Sequence, residues 1–580
     1  MVSRHNPTIV VLSTIVFLTS FMIITPVSAE YSITTDSIHQ HIAVLAHDSL
    51  EGRQVGEVGE WKAAEYIQSV FAAAGLIPKG TDGYLQSFEF TKRIELGDDN
   101  YLTINDTALK LGDDFTPLPH SASLSFEFDR IIDVGYGIHA EEPSLKINDY
   151  DGLDVAGEAV LIRRYTPVLS EAEASDSAQA ELNQHGPINR KIGQAIAKGA
   201  AGIFLMAPAD MDDTLPMFSS SRINPKEIPI IYLHRRGLKK LGLNLHVPFI
   251  GSAEGQTDLH KVRDTAYNVV GYLPGDNDTT VIIGAHYDHL GWGAENSLYR
   301  GDEPKIHNGA DDNGSGTAAL LELARRWASA EDPMQYSMLF IAFTGEEAGI
   351  LGSTHYAKNM TIDSSAVRMM INMDMVGRLK EQEGLVVFGT GSSVEFKSYF
   401  DSLQFDAFNI ISQETGIGAS DHTAFYNRQI PSLFMFTGAH NDYHRPSDDV
   451  DKIDLDGIVG VTDLVWQVVT RFDRMEGALT FQATKSDGRR GRGNYTVKLG
   501  VVPDFGAEVQ GLKIDGVAAD QPGERAGIQS EDIIIKMGTT LVGDIYDYMG
   551  ALARYKKGDS TEIRVVRGVD TLSLQVVFSE

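Results

Sequence analysis

VIIGAHYDH, residues 281–289, is an apolar run that ends in two histidines and an aspartate. Its apolar, β-branched first half is typical of a buried strand. GTAALLELARRWA (316–328) has the apolar spacing of a helix, and the next apolar run, MLFIAFT (338–344), leads into another helical stretch. Apolar strands that alternate with helices indicate a parallel sheet. We therefore predict an α/β fold over about 266–475, with a mostly parallel sheet and helices on both of its faces.

Polar motifs follow the strands of this predicted sheet. His286, Glu347 and Asp374 each lie at or just past the end of an apolar strand. In open α/β sheets, ligands bind beyond the carboxyl ends of the strands. Asp312 in GADDNGSG and His444 in NDYHRPSDD complete a set of two imidazoles and three carboxylates, which are common zinc ligands. One carboxylate can bridge two ions, so the set predicts two zinc ions that share an activated water.

Two neighbours of these ligands suit catalytic roles. Asp288 lies two residues after His286, so we expect its carboxylate to orient the imidazole, as the partners of metal-bound histidines do. Glu346 directly precedes Glu347 at a predicted helix start, which places one carboxylate on a metal and the other over the water. We expect Glu346 to be the general base. An isolated glutamate pair would indicate a solvated helix start, but His286 and Asp374 favour catalysis.

The composition restricts the partners and the compartment. A net charge of −31, from 49 basic and 80 acidic residues, argues against nucleic acid or an anionic membrane as the main partner. The chain has no cysteine, which excludes disulfides and thiolate ligands. Residues 1–29 contain an apolar run and end in the small-residue sequence Val27-Ser28-Ala29, which is typical of a cleaved signal peptide. We expect export to the periplasm or beyond, without a stable membrane span; an uncleaved anchor is the alternative.

The length of 580 residues predicts several domains. Residues 30–124 and 256–477 are assigned to the zinc-binding domain, since the metal-binding motifs lie in the second of these segments. Residues 125–255 have short strands around a helix and none of these motifs, so we predict an insertion with its own core. The polar, glycine-rich segment 478–494 is predicted to be a linker, and residues 495–580 a separate β-rich domain.

The motifs together resemble those of the co-catalytic zinc peptidases. This family includes secreted bacterial aminopeptidases, aminopeptidase Y, glutamate carboxypeptidase and the related glutaminyl cyclases. The resemblance extends from LEGR (50–53) to about residue 475 and rests on HYDH, GADDNGSG, TGEEAGILGS, NMDMVG, SDHTAFYNRQIPS and NDYHRPSD. It implies two zinc-binding triads that share Asp312 as a bridge, namely His286, Asp312 and Asp374, and Asp312, Glu347 and His444.

The resemblance also implies an activity. Tyr443 matches a tyrosine that, in several members, donates a hydrogen bond to the tetrahedral oxyanion. HYDH and TGEEAGILGS are closest to the secreted aminopeptidases, which implies removal of N-terminal residues from peptides. A carboxypeptidase or dipeptidase of the same family is the main alternative, and a glutaminyl cyclase shares the scaffold but typically uses one zinc ion. A secreted, non-catalytic peptide-binding protein is disfavoured, because all five ligands and Glu346 are present.

The insertion and the C-terminal domain each resemble a known module. GEAVLIRR and INRKIGQAIAKGAAGIFLMAPA resemble a protease-associated domain, which implies a role in substrate access or partner binding. KLGVVPDF (498–505) and ADQPGERAGIQSEDIIIKMGTTLV (519–542) resemble a PDZ domain. That resemblance implies that the backbone around Leu499, Gly500 and Val501 binds the C-terminus of a peptide that adds as a β-strand. A PDZ-like domain that stabilises the chain without a ligand is the alternative.

Overall fold

The computed structural model describes most of the chain after the predicted signal peptide. Residues 1–29, the predicted signal peptide, and residues 485–494 of the predicted linker lie outside the described residues. Among the helices that are described, none is long and apolar enough to cross a membrane. The described ranges are 31–142, 145–169, 176–183, 185–215, 223–242, 251–293, 296–301, 303–331, 334–484, 497–504, 507, 509–538, 540–543, 545–552 and 554–578.

Helices and strands alternate along much of the described chain. The helices are α1 (Thr35–Leu45), α2 (Val58–Ala73), α3 (Asp176–Asn183), α4 (Ile188–Ala197), α5 (Arg235–Lys240), α6 (Gly316–Ala328), α7 (Leu351–Lys358), α8 (Val394–Ser402), α9 (His422–Tyr426), α10 (Leu455–Asp473), α11 (Pro522–Ala526) and α12 (Ile545–Leu552). The strands are β1 (Ile77–Pro78), β2 (Leu85–Leu96), β3 (Tyr101–Ile104), β4 (Thr107–Leu109), β5 (Phe115–Pro117), β6 (Leu124–Phe128), β7 (Ile131–Asp133), β8 (His139–Glu142), β9 (Leu145–Asn148), β10 (Ala159–Arg163), β11 (Gly202–Met206), β12 (Ile230–Leu233), β13 (Ala253–Thr257), β14 (Leu259–Leu273), β15 (Asn277–His286), β16 (Tyr336–Phe343), β17 (Val367–Met373), β18 (Leu385–Phe388), β19 (Ile410–Gln413), β20 (Ser432–Phe436), β21 (Val501–Pro503), β22 (Leu512–Val517), β23 (Ile533–Met537), β24 (Thr540–Leu541), β25 (Ser560–Arg567) and β26 (Asp570–Val577).

A large sheet carries the predicted metal-binding motifs. Its strands are ordered β1-β14-β16-β15-β17-β20-β18-β19, and β2 pairs with β14. The central strands β16-β15-β17-β20 are parallel, whereas β14 runs antiparallel to β16 and β18 runs antiparallel to β20. The predicted α/β class is confirmed, but a mostly parallel sheet describes only the centre. Only residues 274–276 join β14 to β15. Two parallel strands need a crossover of a dozen or more residues, so β14 must run in the opposite direction to β15.

Helices cover both faces of this sheet. Ile283 and Ala285 of β15 pack on one face, in a core shared with α1, α2, α6 and α10. Ile282 packs on the opposite face with Tyr356 of α7 and Phe425 of α9. Since successive strand residues point to opposite faces, a strand buried on both sides has an uninterrupted apolar sequence. This explains why the residues of β15 that directly precede His286, VIIGA (281–285), are all apolar.

A second unit lies in the chain between β2 and β14. It contains the sheets β5-β12-β11-β10-β7 and β4-β3-β13-β6, together with α3, α4 and α5. Strands β3 to β5 (residues 101–117) belong to this unit, because they pair with β13, with each other and with β12. The predicted boundary after residue 124 therefore falls inside the unit. The ends of the unit meet where the amide of Gly97 donates to the carbonyl of Asp258, at 2.8 Å.

The C-terminal unit is rich in β-structure, in agreement with its sequence pattern. Its sheet has the order β21-β22-β23-β25-β26, with β24 paired to β23. Ile514, Ile534 and Val565 are completely buried in its core. The unit contacts both other parts of the chain. Asp547 pairs with Lys226 of the insertion at 2.7 Å, and Asp504 pairs with Lys358 of α7 in the large-sheet unit.

Helix α1 is attached to α6 by one buried carboxylate. Glu322 of α6 is fully buried and accepts hydrogen bonds from Tyr31 at 2.8 Å and from Ser37. His41 Nε2 lies 3.0 Å from the same carboxylate. Burial raises the pKa of Glu322, but the hydrogen bonds from His41, Ser37 and Tyr31 outweigh burial and lower it to about 2. The carboxylate is therefore ionised at neutral pH and stabilises the docking of α1.

Glu322→Gln should lower the free energy of unfolding of the large-sheet unit by about 3 kcal/mol, because it removes the buried charge that these donors face. The folded-state pKa of Glu322 lies below its ordinary 4.5, so its contribution is complete above that pH and is lost as the pH falls toward 2. Thermal unfolding of both proteins between pH 7 and pH 3 measures this, and the difference should shrink at the acidic end.

The control is Asp463→Asn, which removes the largely exposed partner of Arg326 on the same helix α6. Surface ion pairs contribute about 0–1 kcal/mol, so this variant should unfold close to the wild type. Equal losses in the two variants, or a Glu322→Gln difference that does not change with pH, would contradict the assignment.

Candidate metal centre and active site

The central parallel strands end at a common edge, where the predicted ligands meet. His286 is the last residue of β15, and Asp374 directly follows β17. His286 Nε2 lies 3.3 Å from Asp374 Oδ1 and 3.5 Å from Asp312 Oδ1. Asp312 comes from the buried turn Ala310–Ser315 that precedes α6. These three side chains form one group that could hold a metal ion.

A second group uses the other oxygen of Asp312. His444 Nε2 lies 3.3 Å from Asp312 Oδ2 and 3.2 Å from Glu347 Oε2. Glu347 lies in the turn between β16 and α7. Asp312 therefore presents one carboxylate oxygen to each group, which is the geometry of a bridging ligand. All five predicted ligands are brought together in the structure.

His289 is an additional histidine that the sequence motifs did not single out. Its Nδ1 lies 2.8 Å from Glu347 Oε1 but 3.9 Å from Asp312 Oδ2, so it too groups with these carboxylates. His444 Nε2 lies within 3.3 Å of both carboxylates, whereas His289 makes one short contact with Glu347. These distances favour the predicted ligand His444, with His289 as a partner that orients Glu347. The second histidine of HYDH was the sequence feature that could have identified this residue.

The cluster leaves several buried polar atoms without hydrogen bonds. His286 Nε2 and Asp374 Oδ1 face each other, yet neither has a hydrogen-bond partner among the described residues. Unsatisfied buried polar groups cost free energy. Bound divalent cations would satisfy them and would also neutralise the excess of carboxylates. The residues present therefore fit a pair of metal ions with nitrogen and oxygen ligands.

The carboxylates and imidazoles of the cluster shift one another's pKa values. Burial raises the pKa of Glu346 well above its usual value, and the charge of Asp374 contributes in the same direction. Burial also raises the pKa of Glu347, but hydrogen bonds with His289 and His444 hold it well below its usual range. Burial lowers the pKa of His444, whereas its bonds to the carboxylates raise it to about 11. The positive charge of a protonated His444 thus takes the place that a cation would occupy beside these carboxylates.

Asp288 connects His286 to the turn that carries the glutamates. His286 Nδ1 lies 3.2 Å from the main-chain carbonyl of Asp288 and 3.6 Å from its Oδ1. The same carboxylate accepts the amide of Glu346 at 3.1 Å and that of Glu347 at 3.4 Å. The carboxylate of Asp288 therefore holds the glutamate pair, and its main-chain carbonyl orients the imidazole, whereas the sequence predicted that role for the carboxylate.

Asp374 is held by a buried serine. Ser420 Oγ donates to Asp374 Oδ2 at 2.8 Å, and Asn372 Nδ2 donates to the same Ser420 Oγ at 2.8 Å. Ser420 directly precedes Asp421 and helix α9. The SDH sequence, which entered the prediction only as part of the resemblance, thus supports a ligand through its serine.

The turn that contains Asp312 is fixed by a second buried carboxylate. Asp448 Oδ2 accepts the amides of Asp311 and Asp312, both at 3.0 Å. Its Oδ1 accepts a hydrogen bond from Arg378 at 3.1 Å, and His440 lies 3.2 Å from Asp311 Oδ2. Burial, and then the charge of Asp311, raise the pKa of Asp448 to about 6. The bridging residue is therefore held through its own backbone.

Arg53 of the LEGR motif reaches the same motifs from the N-terminal segment. Its guanidinium is buried and donates to the carbonyls of Tyr287 at 2.6 Å, Asn308 at 2.7 Å and Gly309 at 3.0 Å. Burial lowers the pKa of Arg53 to about 10, although the carboxylate of Asp288 opposes this. Arg53 thus fixes the backbone on both sides of the cluster and adds positive charge near its acids.

Tyr443 lies beside the second group. Its ring stacks on His444, with centroids 3.8 Å apart and an interplanar angle of 22°. Burial raises the pKa of Tyr443, and the charges of Asp312 and Glu347 raise it further. The phenol therefore keeps its proton and remains a hydrogen-bond donor.

The predicted carboxylate-binding loop lies in the C-terminal unit and not in the cluster. The carbonyl of Leu499 accepts the amide of Gly523, and that of Gly500 accepts the amide of Ala518, both at 2.7 Å. Val501 begins β21, which is an end strand of its sheet. Within the described residues, the outer edge of β21 pairs with no other strand.

The match to known proteins centres on the same segment. Residues 268–469 match Peptidase family M28. The chain is 31% identical over 200 residues to a probable leucine aminopeptidase of Trichophyton verrucosum, an alignment that covers 32% of this chain and 50% of that protein. It is 29% identical over 220 residues to aminopeptidase YwaD of Bacillus subtilis, covering 36% and 45% of the two chains.

The chain spans about half the length of these curated relatives. Among solved structures, a zinc aminopeptidase from Bacillus subtilis is 22% identical, covers 78% of this chain and 99% of its own, and has a TM-score of 0.47. The match to Peptidase family M28 confirms the resemblance to peptidases over residues 268–469, which contain all five predicted ligands.

Proposed function

We propose that this chain is a zinc-dependent aminopeptidase. The observation that carries the proposal is the pair of ligand groups that share Asp312 and lie beside Glu346, whose Oε2 is 3.9 Å from His286 Nε2. The match of residues 268–469 to a peptidase family, and the similarity to aminopeptidases, support peptide substrates. A carboxypeptidase or dipeptidase with the same cluster is the alternative.

Two zinc ions per chain fit the five ligands. His286, Asp312 and Asp374 would hold one ion, and Asp312, Glu347 and His444 the other. When bound, the ions supply Lewis-acid polarisation of the substrate carbonyl and lower the pKa of a shared water. The unpartnered His286 Nε2 and Asp374 Oδ1 support this assignment.

The protein groups divide the remaining chemistry among them. Glu346 accepts a proton from the attacking water and returns it to the leaving amine. Asp288 holds the backbone of Glu346 through its amide, so that the carboxylate stays aimed at the water. Tyr443 donates a hydrogen bond to the oxyanion that develops on the substrate carbonyl.

The charge of the site favours the N-terminal end of a peptide. Glu346 is a carboxylate without an assigned metal in a buried, acidic surrounding. At short range in a low dielectric, such groups attract an ammonium and repel a free carboxylate by several kcal/mol. We therefore propose that the substrate ammonium binds near Glu346.

We also propose that the protein is exported, which the sequence of residues 1–29 supports. The insertion between β2 and β14 is proposed to act as a protease-associated domain. The proposed PDZ-type C-terminal unit would bind a peptide C-terminus along β21, an end strand with an unpaired edge among the described residues.

Purified wild-type protein should contain about two zinc ions per chain and lose activity on chelation. Asp312→Ala should weaken binding of both ions, because each ligand group contains one oxygen of this residue. Asp374→Ala should weaken one site more than the other. Elemental analysis and titration with zinc measure these effects; full wild-type activity without any divalent metal would refute the mechanism.

Glu346→Gln should retain zinc but lose turnover. The amide has a similar size but cannot accept the proton of the water, and general acid–base groups contribute about 100- to 10,000-fold. The loss of kcat should lie at the upper end, since Glu346 serves in both proton transfers. Glu395→Gln, a partly exposed glutamate at the start of α8, is the matched control. A Glu346→Gln variant with near-normal kcat would exclude Glu346 as the base.

Peptides blocked at one end distinguish the two exopeptidase classes. N-acetylation should abolish cleavage, because it removes the ammonium that the acidic site attracts. C-terminal amidation of the same peptide should have little effect. The measurement is the initial rate of product release from matched peptides; the opposite pattern would indicate a carboxypeptidase with the same metal chemistry.

The C-terminal unit should bind peptides that end in a free carboxylate more tightly than their amides. Strand addition on β21 supplies main-chain hydrogen bonds, and the backbone amides near Gly500 recognise the charge. Fluorescence anisotropy with a degenerate peptide library measures this in the full chain carrying Glu346→Gln, which prevents cleavage. Equal binding of acids and amides would leave the unit with a structural role only.

A further inference from the structure

Two helices of the large-sheet unit run from the candidate active site to the C-terminal unit. Residues 348–350 form a turn between the glutamate pair and α7, and the amides of Gly349 and Ile350 donate to the carbonyl of Glu346 at 2.8 Å and 2.9 Å. Helix α9 starts two residues after Ser420, whose carbonyl accepts the amide of Thr423 at 3.1 Å. The proposed base thus lies in the turn before the first helix, and the serine that holds a metal ligand lies just before the second.

The far ends of both helices meet the same surface of the C-terminal unit. Lys358, the last residue of α7, forms an ion pair with Asp504 and lies 3.9 Å from Asp515 Oδ1. Asn427, which follows α9, donates to Asp515 Oδ2 at 2.7 Å. Arg428 lies 3.6 Å from Asp515 Oδ1. Asp515 therefore contacts the ends of both active-site helices.

This contact is buried and is tied to a rigid element. Asp504 and Asp515 are 7% and 3% exposed, so water screens their charges only weakly. Asp515 lies within β22, and Asp504 directly follows the end strand β21. The two helices also pack on each other, with the rings of Tyr356 and Phe425 6.3 Å apart. A displacement at Asp515 would therefore move both helices together.

We propose that Asp504 and Asp515 of the C-terminal unit are positioning residues for the active site. They hold the far ends of α7 and α9, and thereby fix Glu346 over the substrate and Ser420 on Asp374. Helix α7 has eight residues, so its ends are about 12 Å apart. Because the amides of Gly349 and Ile350, just before the helix, are bonded to the carbonyl of Glu346, a small shift at Lys358 is transmitted to Glu346. The inference rests on the proposed peptidase function and assigns the C-terminal unit a part in it.

A matched pair of substitutions in the full-length zinc-loaded protein tests the proposal. Asp515→Asn removes the charge that faces α7 and α9. Asp547→Asn makes the same change at another buried aspartate of the C-terminal unit, whose ion-pair partner is Lys226 of the insertion and not a residue of α7 or α9. We expect Asp515→Asn to lower kcat about tenfold, as small misplacements of catalytic groups do, with KM and zinc content close to wild type. Asp547→Asn should leave kcat unchanged.

Conservative and non-conservative changes at the other end of the contact provide the rescue test. Lys358→Met should lower kcat as Asp515→Asn does, and Lys358→Arg, which keeps the charge, should restore it. Hydrogen exchange of residues 346–358 and 420–428 provides a readout independent of activity, and it should accelerate in Asp515→Asn and Lys358→Met alone.

The outcomes separate this inference from the proposed function. If the wild type cleaves no peptide, the proposed function fails, and exchange in the two aspartate variants alone decides whether the C-terminal unit holds the helices. If Asp515→Asn and Asp547→Asn have the same kcat and the same exchange, the positioning role is refuted. Faster exchange without a loss of kcat, or a loss that Lys358→Arg does not restore, also refutes it.

Discussion

The candidate centre depends on one constraint: four carboxylates lie together, largely shielded from water, at the edge where the parallel strands end. Asp312, Glu346, Glu347 and Asp374 lie around the same two imidazoles. Negative charges that are shielded from water repel one another strongly, and burying them without partners costs free energy. The structure shows where the compensation comes from. Histidines face the carboxylates directly, and the unpartnered atoms between them fit cations.

A second layer of compensation lies behind the ligands. Arg53 and Arg378 are almost completely buried, and they come from segments far apart in the chain. Arg53 donates to main-chain carbonyls and not to a carboxylate, so it acts on the shape of the site as well as on its charge. Arg378 pairs with Asp448, which holds the backbone of Asp312. Folding of the N-terminal segment is therefore coupled to the formation of the centre.

The sequence predicted the residues whose position follows from strand order. His286 and Asp374 end or follow buried strands, and parallel neighbours bring strand ends together whatever the loops do. His289, Ser420 and Arg53 were not assigned roles, since their contacts depend on turns and on residues distant in sequence. The antiparallel course of β14 and the assignment of β3 to β5 to the insertion were missed for a related reason. Strand pairing depends on which distant segment of the chain comes to lie beside a free sheet edge. The hydrophobic pattern of one segment does not show which partner it will have.

The long ladder between β2 and β14 has a consequence for which parts of the chain can be replaced without disturbing the large sheet. Leu96 at the end of β2 pairs with Leu259 at the start of β14, and Gly97 is hydrogen-bonded to Asp258. The insertion thus leaves and re-enters the large-sheet unit at neighbouring points, like a long hairpin loop. Domain insertion is tolerated where chain ends lie close together. The ladder therefore makes this site an exchange point, at which a different module, or a tight turn, can replace the whole insertion while the strands that carry the centre keep their register.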